Sequence, residues 1–228
     1  ENNIFPDIFK RSISKINPQI SEEEIQRLLT DVSLKLNYDD LGREFFRSLV
    51  NSSGTKLIDF ENFNNNEFHV TTELTCKKGD EEFRPDITVL INGMPLVFIE
   101  VKKPNNREGV IAERNRINKR FALKDFRAFT NVTQLMLFSN NMEYEDGVIE
   151  PIMGAYYATP SKDGVMFNYF REEELLNYTN LLKPENEELE NLVLKDNNIV
   201  AIKYTDEFKL NKNYETPTNR IITSLLSR

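Results

Sequence analysis

The chain has no tryptophan, one cysteine and one histidine among its 228 residues. A single thiol, Cys76, excludes an internal disulfide framework and fits a reducing compartment. With His69 as the sole imidazole there is no histidine-pair metal site, and the residue reads as an ordinary member of a strand. No apolar run approaches the ~20 residues needed to span a bilayer. The opening ENNIFPDIFK also lacks a charged-then-apolar leader, so the expectation is a cytoplasmic protein with no membrane partner. It begins with Glu1 rather than Met, as expected of a piece of a longer protein. No GxxxxGK(S/T) loop occurs, which excludes ATP binding of the P-loop kind. Basic residues are outnumbered: the formal charge is −8 and the pI near 5.0, so the whole surface is not a general polyanion binder. Contact with a nucleic acid would need a local reversal of sign.

What is present is enough apolar sequence, 39% of residues, to bury a sizeable core as one large domain or one domain with an appendage. The chain is organised around RPDITVLINGMPLVFIEVKK, Arg84 to Lys103. Two apolar runs, Ile87 to Ile91 and Leu96 to Val101, flank the turn signal Asn92-Gly93 and predict a hairpin. Charges inside buried strands are costly unless paired or metal-bound, so Asp86, Glu100 and Lys102 need a reason. Glu100 and Lys102 share a strand face. A plain two-residue turn would set Asp86 opposite Ile99 and leave Glu100 on the wrong face. A three-residue connection, Asn92 to Met94, or a bulge of the same effect, sets Asp86 opposite Glu100. Two facing carboxylates suit magnesium, which takes the rest of its shell from water and substrate phosphate. A neighbouring lysine can orient or deprotonate a water, or stabilise developing charge.

Around this hairpin, residues 1–17 read as a short extension with one helical turn. Ser21 and Glu24 form a capping box that predicts a helix over about 20–36, with Glu22 on its apolar stripe or simply a first-turn acid. Leu41 to Val50 reads as a second helix or a continuation. Strands are expected at about 56–60 and 66–75. From Lys102 to Arg127 the sign of charge inverts: Lys103, Arg107, Arg114, Arg116, Lys119, Arg120, Lys124 and Arg127 face only Glu108, Glu113 and Asp125. A helix there would either contact DNA phosphates or present a solvated face. Val132 to Phe138, Ala155 to Ala158 and Val165 to Phe170 read as strands. Arg171 to Leu182, Glu185 to Leu194 and Thr216 to Ser227 read as helices.

Pro85-Asp86 followed by Glu100-Val101-Lys102 resembles the PD-(D/E)xK nuclease motif. The longer string RPDITVLINGMPLVFIEVKKP is similar to the N-terminal nuclease region of the restriction subunit of type I restriction enzymes, and the likeness extends more weakly from about Ser21 to Phe170. The resemblance implies an α/β nuclease fold, a mixed central sheet flanked by helices, and metal-dependent cleavage of double-stranded DNA. Asp86, Glu100 and the Val101 carbonyl would then hold magnesium, or manganese in its place, with Glu22 as a further acidic ligand and Lys102 as the catalytic cation. ATP would act only through a motor domain outside this chain, and the methylation and specificity subunits would be partners. The implied division is 1–170 for the nuclease unit, with 1–19 an extension, and 171–228 for a helical portion leading toward the motor. The family's Gln-xxx-Tyr motif has no counterpart on the basic helix. A standalone repair or defence nuclease, or a catalytically silent module of this fold, are the alternatives.

Overall fold

Proline at the first turn opens α1 (Pro6–Ile16), which buries Phe9, Ser12, Ile13 and Ile16. The single turn expected of this segment is therefore an 11-residue helix, and its apolar residues belong to the core rather than to an extension. The computed structural model describes residues 3–51, 53–78, 81–103, 109–143, 155–161, 164–169, 186–212 and 216–226. Helix α2 (Glu22–Lys35) begins as its sequence demands, with Glu24 N–H donating to Ser21 Oγ and Ser21 N–H donating to the Glu24 carboxylate at 2.8 Å. Helix α3 (Arg43–Val50) buries Phe45 and Leu49. No strand forms at 56–60. Asparagine side chains satisfy the backbone there: Asn17 pairs with Lys56, Asn92 donates to Leu57 O, and Asn66 accepts from Asp59 N.

Strands β1 (Phe68–Thr72), β2 (Cys76–Lys78), β3 (Glu81–Phe83), β4 (Ile87–Ile91) and β5 (Met94–Val101) precede helices α4 (Gly109–Ala122) and α5 (Arg127–Val132). Then come β6 (Leu135–Ser139), β7 (Ala155–Ser161) and β8 (Gly164–Tyr169). Six strands form one sheet in the order β1-β4-β5-β6-β7-β8, and β2 pairs with β3 apart from it. Only β5 and β6 run parallel within the six, joined by the crossover through α4 and α5 that parallel neighbours require. The architecture is the mixed α/β sheet flanked by helices that the sequence predicts.

The two faces of β5 meet different helices. Val97 joins a cluster with Ile13, Ile25 and Val32, which covers one face with α1 and α2. Phe98 points the other way and packs with Ile117 of α4 and Phe126, Phe129 and Phe138. The C-terminal elements are α6 (Glu187–Asp196), α7 (Asp206–Asn211) and α8 (Pro217–Leu226). Ile221 of α8 is fully buried with Ile99, Leu137 and Ala155, so this helix is part of the sheet's packing. The helix expected over 171–182 lies outside the described residues.

The hairpin between β4 and β5 is closed by two residues of positive φ, Asn92 at 52° and Gly93 at 78°, the primed geometry that an Asn-Gly pair favours. Gly93 cannot be replaced cheaply: an added Cβ would lie 2.7 Å from Phe9 N and 2.8 Å from Phe5 O, because α1 seats on the turn.

Candidate functional site

Pairing runs Ile91 with Met94 and Leu90 with Pro95, then shifts, so that Val89 pairs with Val97 and Ile87 with Ile99. Leu96 is the extra residue of a β-bulge. The turn is thus the two-residue one, and the bulge restores the register that a three-residue loop would have given. One step beyond Ile87 and Ile99, Asp86 falls opposite Glu100. Its carboxylate accepts the Val101 N–H at 2.8 Å, which fixes it at the end of β5.

Glu100 is 4% exposed and lies on the Phe98 face of β5, as does Lys102. Lys102 Nζ donates to Glu100 Oε2 at 3.1 Å. No hydrogen-bond partner of Glu100 Oε1 occurs among the described residues. The Lys102 backbone N–H continues the parallel ladder to Ser139 O at 2.8 Å. Asp86, Glu100 and Lys102 therefore converge where β5 leaves the sheet. A cavity of about 520 Å³ opens on Val101 and Lys102, walled by Asn141 and by residues of α7 and α8.

A residue that the sequence reading counted only as an opposing charge completes the group. Glu113 of α4 is 2% exposed, with Oε2 3.5 Å from Lys102 Nζ and paired with Arg116, and Oε1 3.3 Å from Arg120. Ile117, one helical turn on, packs beside Phe98 and so aims Glu113 at the same sheet face. Its signal was present: Glu113 fills the apolar stripe between Val110 and Ile117, where a carboxylate needs a buried partner.

These charges perturb one another. Burial, followed by Glu113, pushes the Glu100 carboxyl up to about 7 against the opposing pull of Lys102. Burial works to lower Lys102, but Glu100, Glu113 and Asp86 outweigh it and hold the ammonium above its ordinary value. Burial brings Arg120 below its usual range, against Glu113. Burial pushes the Cys76 thiol up to about 12, so the lone cysteine is inert packing.

Other expected site residues fall elsewhere. Glu22 is exposed in the first turn of α2, a helix packed with Val97 on the face opposite Glu100, so the structure does not bring it to the carboxylates. Of the basic residues, Arg116 and Arg120 are engaged by Glu113, and Arg120 also lies 3.8 Å over the Phe83 ring. Arg127 pairs with Asp39 at 3.2 Å. Lys103, Lys119 and Lys124 are exposed, Arg114 is half-buried, and Arg107 lies outside the described residues. Two arginines of the run thus neutralise a buried acid.

No group of three or more His, Cys, Asp or Glu side chains among the described residues is gathered closely enough to cage a metal. Among the described residues, no helix is long and apolar enough to cross a membrane.

The family described as type I restriction enzyme R protein N terminus matches residues 1–145. A putative type I restriction enzyme MjaIXP endonuclease subunit of Methanocaldococcus jannaschii is 27% identical over 163 residues, 63% of this chain and 15% of that protein. The type I restriction enzyme HindI endonuclease subunit of Haemophilus influenzae is 23% identical over 165 residues, 64% of this chain and 15% of its own length. A putative MjaVIIP endonuclease subunit, again of M. jannaschii, is 47% identical over a shorter stretch of 47 residues. The chain spans about 15% of the length of the first two relatives.

Proposed function

The chain belongs to the family of type I restriction enzyme R protein N termini, and from that membership and the geometry at the end of β5 we propose that it is a magnesium-dependent endonuclease unit that hydrolyses phosphodiester bonds of double-stranded DNA. The observation that carries this reading is the bulge, which brings Asp86, Glu100 and Lys102 together from a hairpin whose turn alone would separate them. Such a distortion re-aims charged side chains, as bulges beside active sites do.

The donor set fits a hard divalent cation. Asp86, Glu100 and the Val101 carbonyl offer oxygen only, and two protein carboxylates with water filling the remaining positions is the usual magnesium arrangement. Glu100 in particular is a buried carboxylate whose Oε1 has no hydrogen-bond partner among the described residues, while Lys102 holds Oε2. When bound, the metal would supply Lewis-acid stabilisation of charge on the phosphoryl oxygens; manganese has the same ligand preference. Lys102, held beside Glu100 on the same sheet face, orients the attacking water and the phosphoryl oxygen. Val101 N–H keeps Asp86 turned toward that face.

ATP acts through a motor outside this chain, and target choice belongs to methylation and specificity subunits; the acidic net charge of −8 accords with DNA being delivered by others. Calorimetry of the chain with magnesium or manganese tests the metal assignment. Binding should be present in the wild type and lost in Asp86→Ala. Equal binding by that variant, or DNA cleavage at the wild-type rate by the assembled Lys102→Ala enzyme, would remove the reading.

A further inference from the structure

We propose that Glu113 is a positioning residue for Lys102, a helix-borne anchor that keeps the ammonium in the cleft when Glu100 is given over to the metal. This rests on the nuclease reading above. In the structure one ammonium is shared by two carboxylates, Glu100 Oε2 at 3.1 Å and Glu113 Oε2 at 3.5 Å. A metal on Glu100 would draw that carboxylate away from Lys102, and Glu113 is then the partner that remains.

Glu113 is suited to anchoring and not to metal binding. Both of its oxygens are committed to cations, Oε1 to Arg120 and Oε2 to Arg116 and Lys102. Its backbone is fixed one turn before the fully buried Ile117, and Arg120 is itself held over the Phe83 ring. The series Phe83, Arg120, Glu113, Lys102 is a continuous line of contacts from the core to the cleft. A buried ionic cluster is a poor route to stability, since apolar residues of similar size serve as well or better. Fixing the orientation of a working group is a role for which such partners are kept.

The first readout is spectroscopic, on the full 228-residue chain with lysine labelled at nitrogen. Held between two carboxylates, Lys102 should give a resolved, slowly exchanging ammonium signal, identified by its absence from Lys102→Arg. With magnesium present, Glu113→Gln should erase that signal while the backbone spectrum of the sheet is unchanged. The second readout is cleavage by the assembled full-length enzyme. There Glu113→Gln should lower kcat about 10–100-fold with the KM for DNA unchanged, and Glu113→Asp, which keeps the charge but draws it back, should fall between. If Glu113→Gln does not fold, Glu113→Asp carries both readouts and must weaken the signal and the rate together. A wild-type Lys102 signal, or a wild-type kcat, in a folded Glu113 variant overturns the proposal. Wild-type cleavage by Lys102→Ala would instead overturn the nuclease reading beneath it, so the two failures are told apart by different residues.

Discussion

The hairpin of β4 and β5 carries a buried polar network at each end, and the two are built on opposite terms. At the turn, Asn92 is fully buried and donates to Leu57 O and Asn66 Oδ1 while accepting from Glu67 N, all at 2.8–2.9 Å. Asn66 passes the network on to the carbonyls of Asp59 and Phe63. These amide groups are matched donor to acceptor. At the open end the partners are charged, and Glu113 Oε2 lies beside two cations without a hydrogen bond of good geometry. A satisfied neutral network holds a fold together, whereas a crowded ionic one strains it. The difference teaches which end is for structure and which is for chemistry.

One pair of substitutions sharpens that contrast. Glu100→Gln, nearly isosteric, should reduce DNA cleavage by the assembled enzyme at least about 10³-fold, the scale of losing a metal ligand and its charge; single-turnover cleavage measures it. Asn92→Ala should act only on the fold. It leaves Leu57 O, Glu67 N and Asn66 Oδ1 without their buried partner and puts alanine at a φ of 52°, a loss of about 4 kcal/mol, read from urea unfolding. Unaltered stability of that variant would break the comparison.

The third expectation reverses the sign. Because Glu100 titrates at about 7 in the folded chain against an ordinary 4.5, the folded state binds its proton more tightly than the unfolded. The stability that this group contributes is therefore complete below about pH 4.5 and is lost as pH rises through about 7. In chelator, Glu100→Gln should gain at most about 3 kcal/mol over the wild type above pH 7 and nothing at pH 4. A loss of stability at pH 8 would show that the charged end supports the fold after all. The smallest effect belongs to the exposed flank of α4. Lys119→Ala in the intact enzyme should reduce the salt dependence of DNA engagement by about one unit of log–log slope, equally for all sequences, as read from cleavage across a salt series.

Much of this was legible because local rules and tertiary outcome agree. Ser21 and Glu24 announce α2, Asn92-Gly93 announces the hairpin, and the period of two places Glu100 and Lys102 on one face. The bulge was legible only as one of two ways to satisfy that parity, since nothing in Leu90 or Leu96 distinguishes them. Helix α1 was underread although Pro6 signals a start, because its apolar residues find their partners on a distant turn. The strand expected at 56–60 failed for a related reason: its backbone is claimed by Asn17, Asn66 and Asn92, residues far from one another in sequence. Glu113 was missed because the charges of α4 were summed as a field, when one position on the stripe mattered more than the total.

The packing of α8 also sets an order of assembly. Ile99, the neighbour of Glu100, and Leu137 are covered on one face of the sheet by Ile221 and its helix, which begins at Pro217, about 115 residues after Lys102. At ~5–20 residues/s of synthesis, that helix reaches the chain roughly 6 to 23 s after the strand it covers. During that interval the Ile99 end of this strand is uncovered, although α1 and α2 already cover Val97 on the same face and α4 covers Phe98 on the other. A ribosome paused before residue 217, or a chain cut at residue 170, would leave the hairpin in place but the patch of Ile99, Leu137 and Ala155 open to chaperones and to other nascent strands.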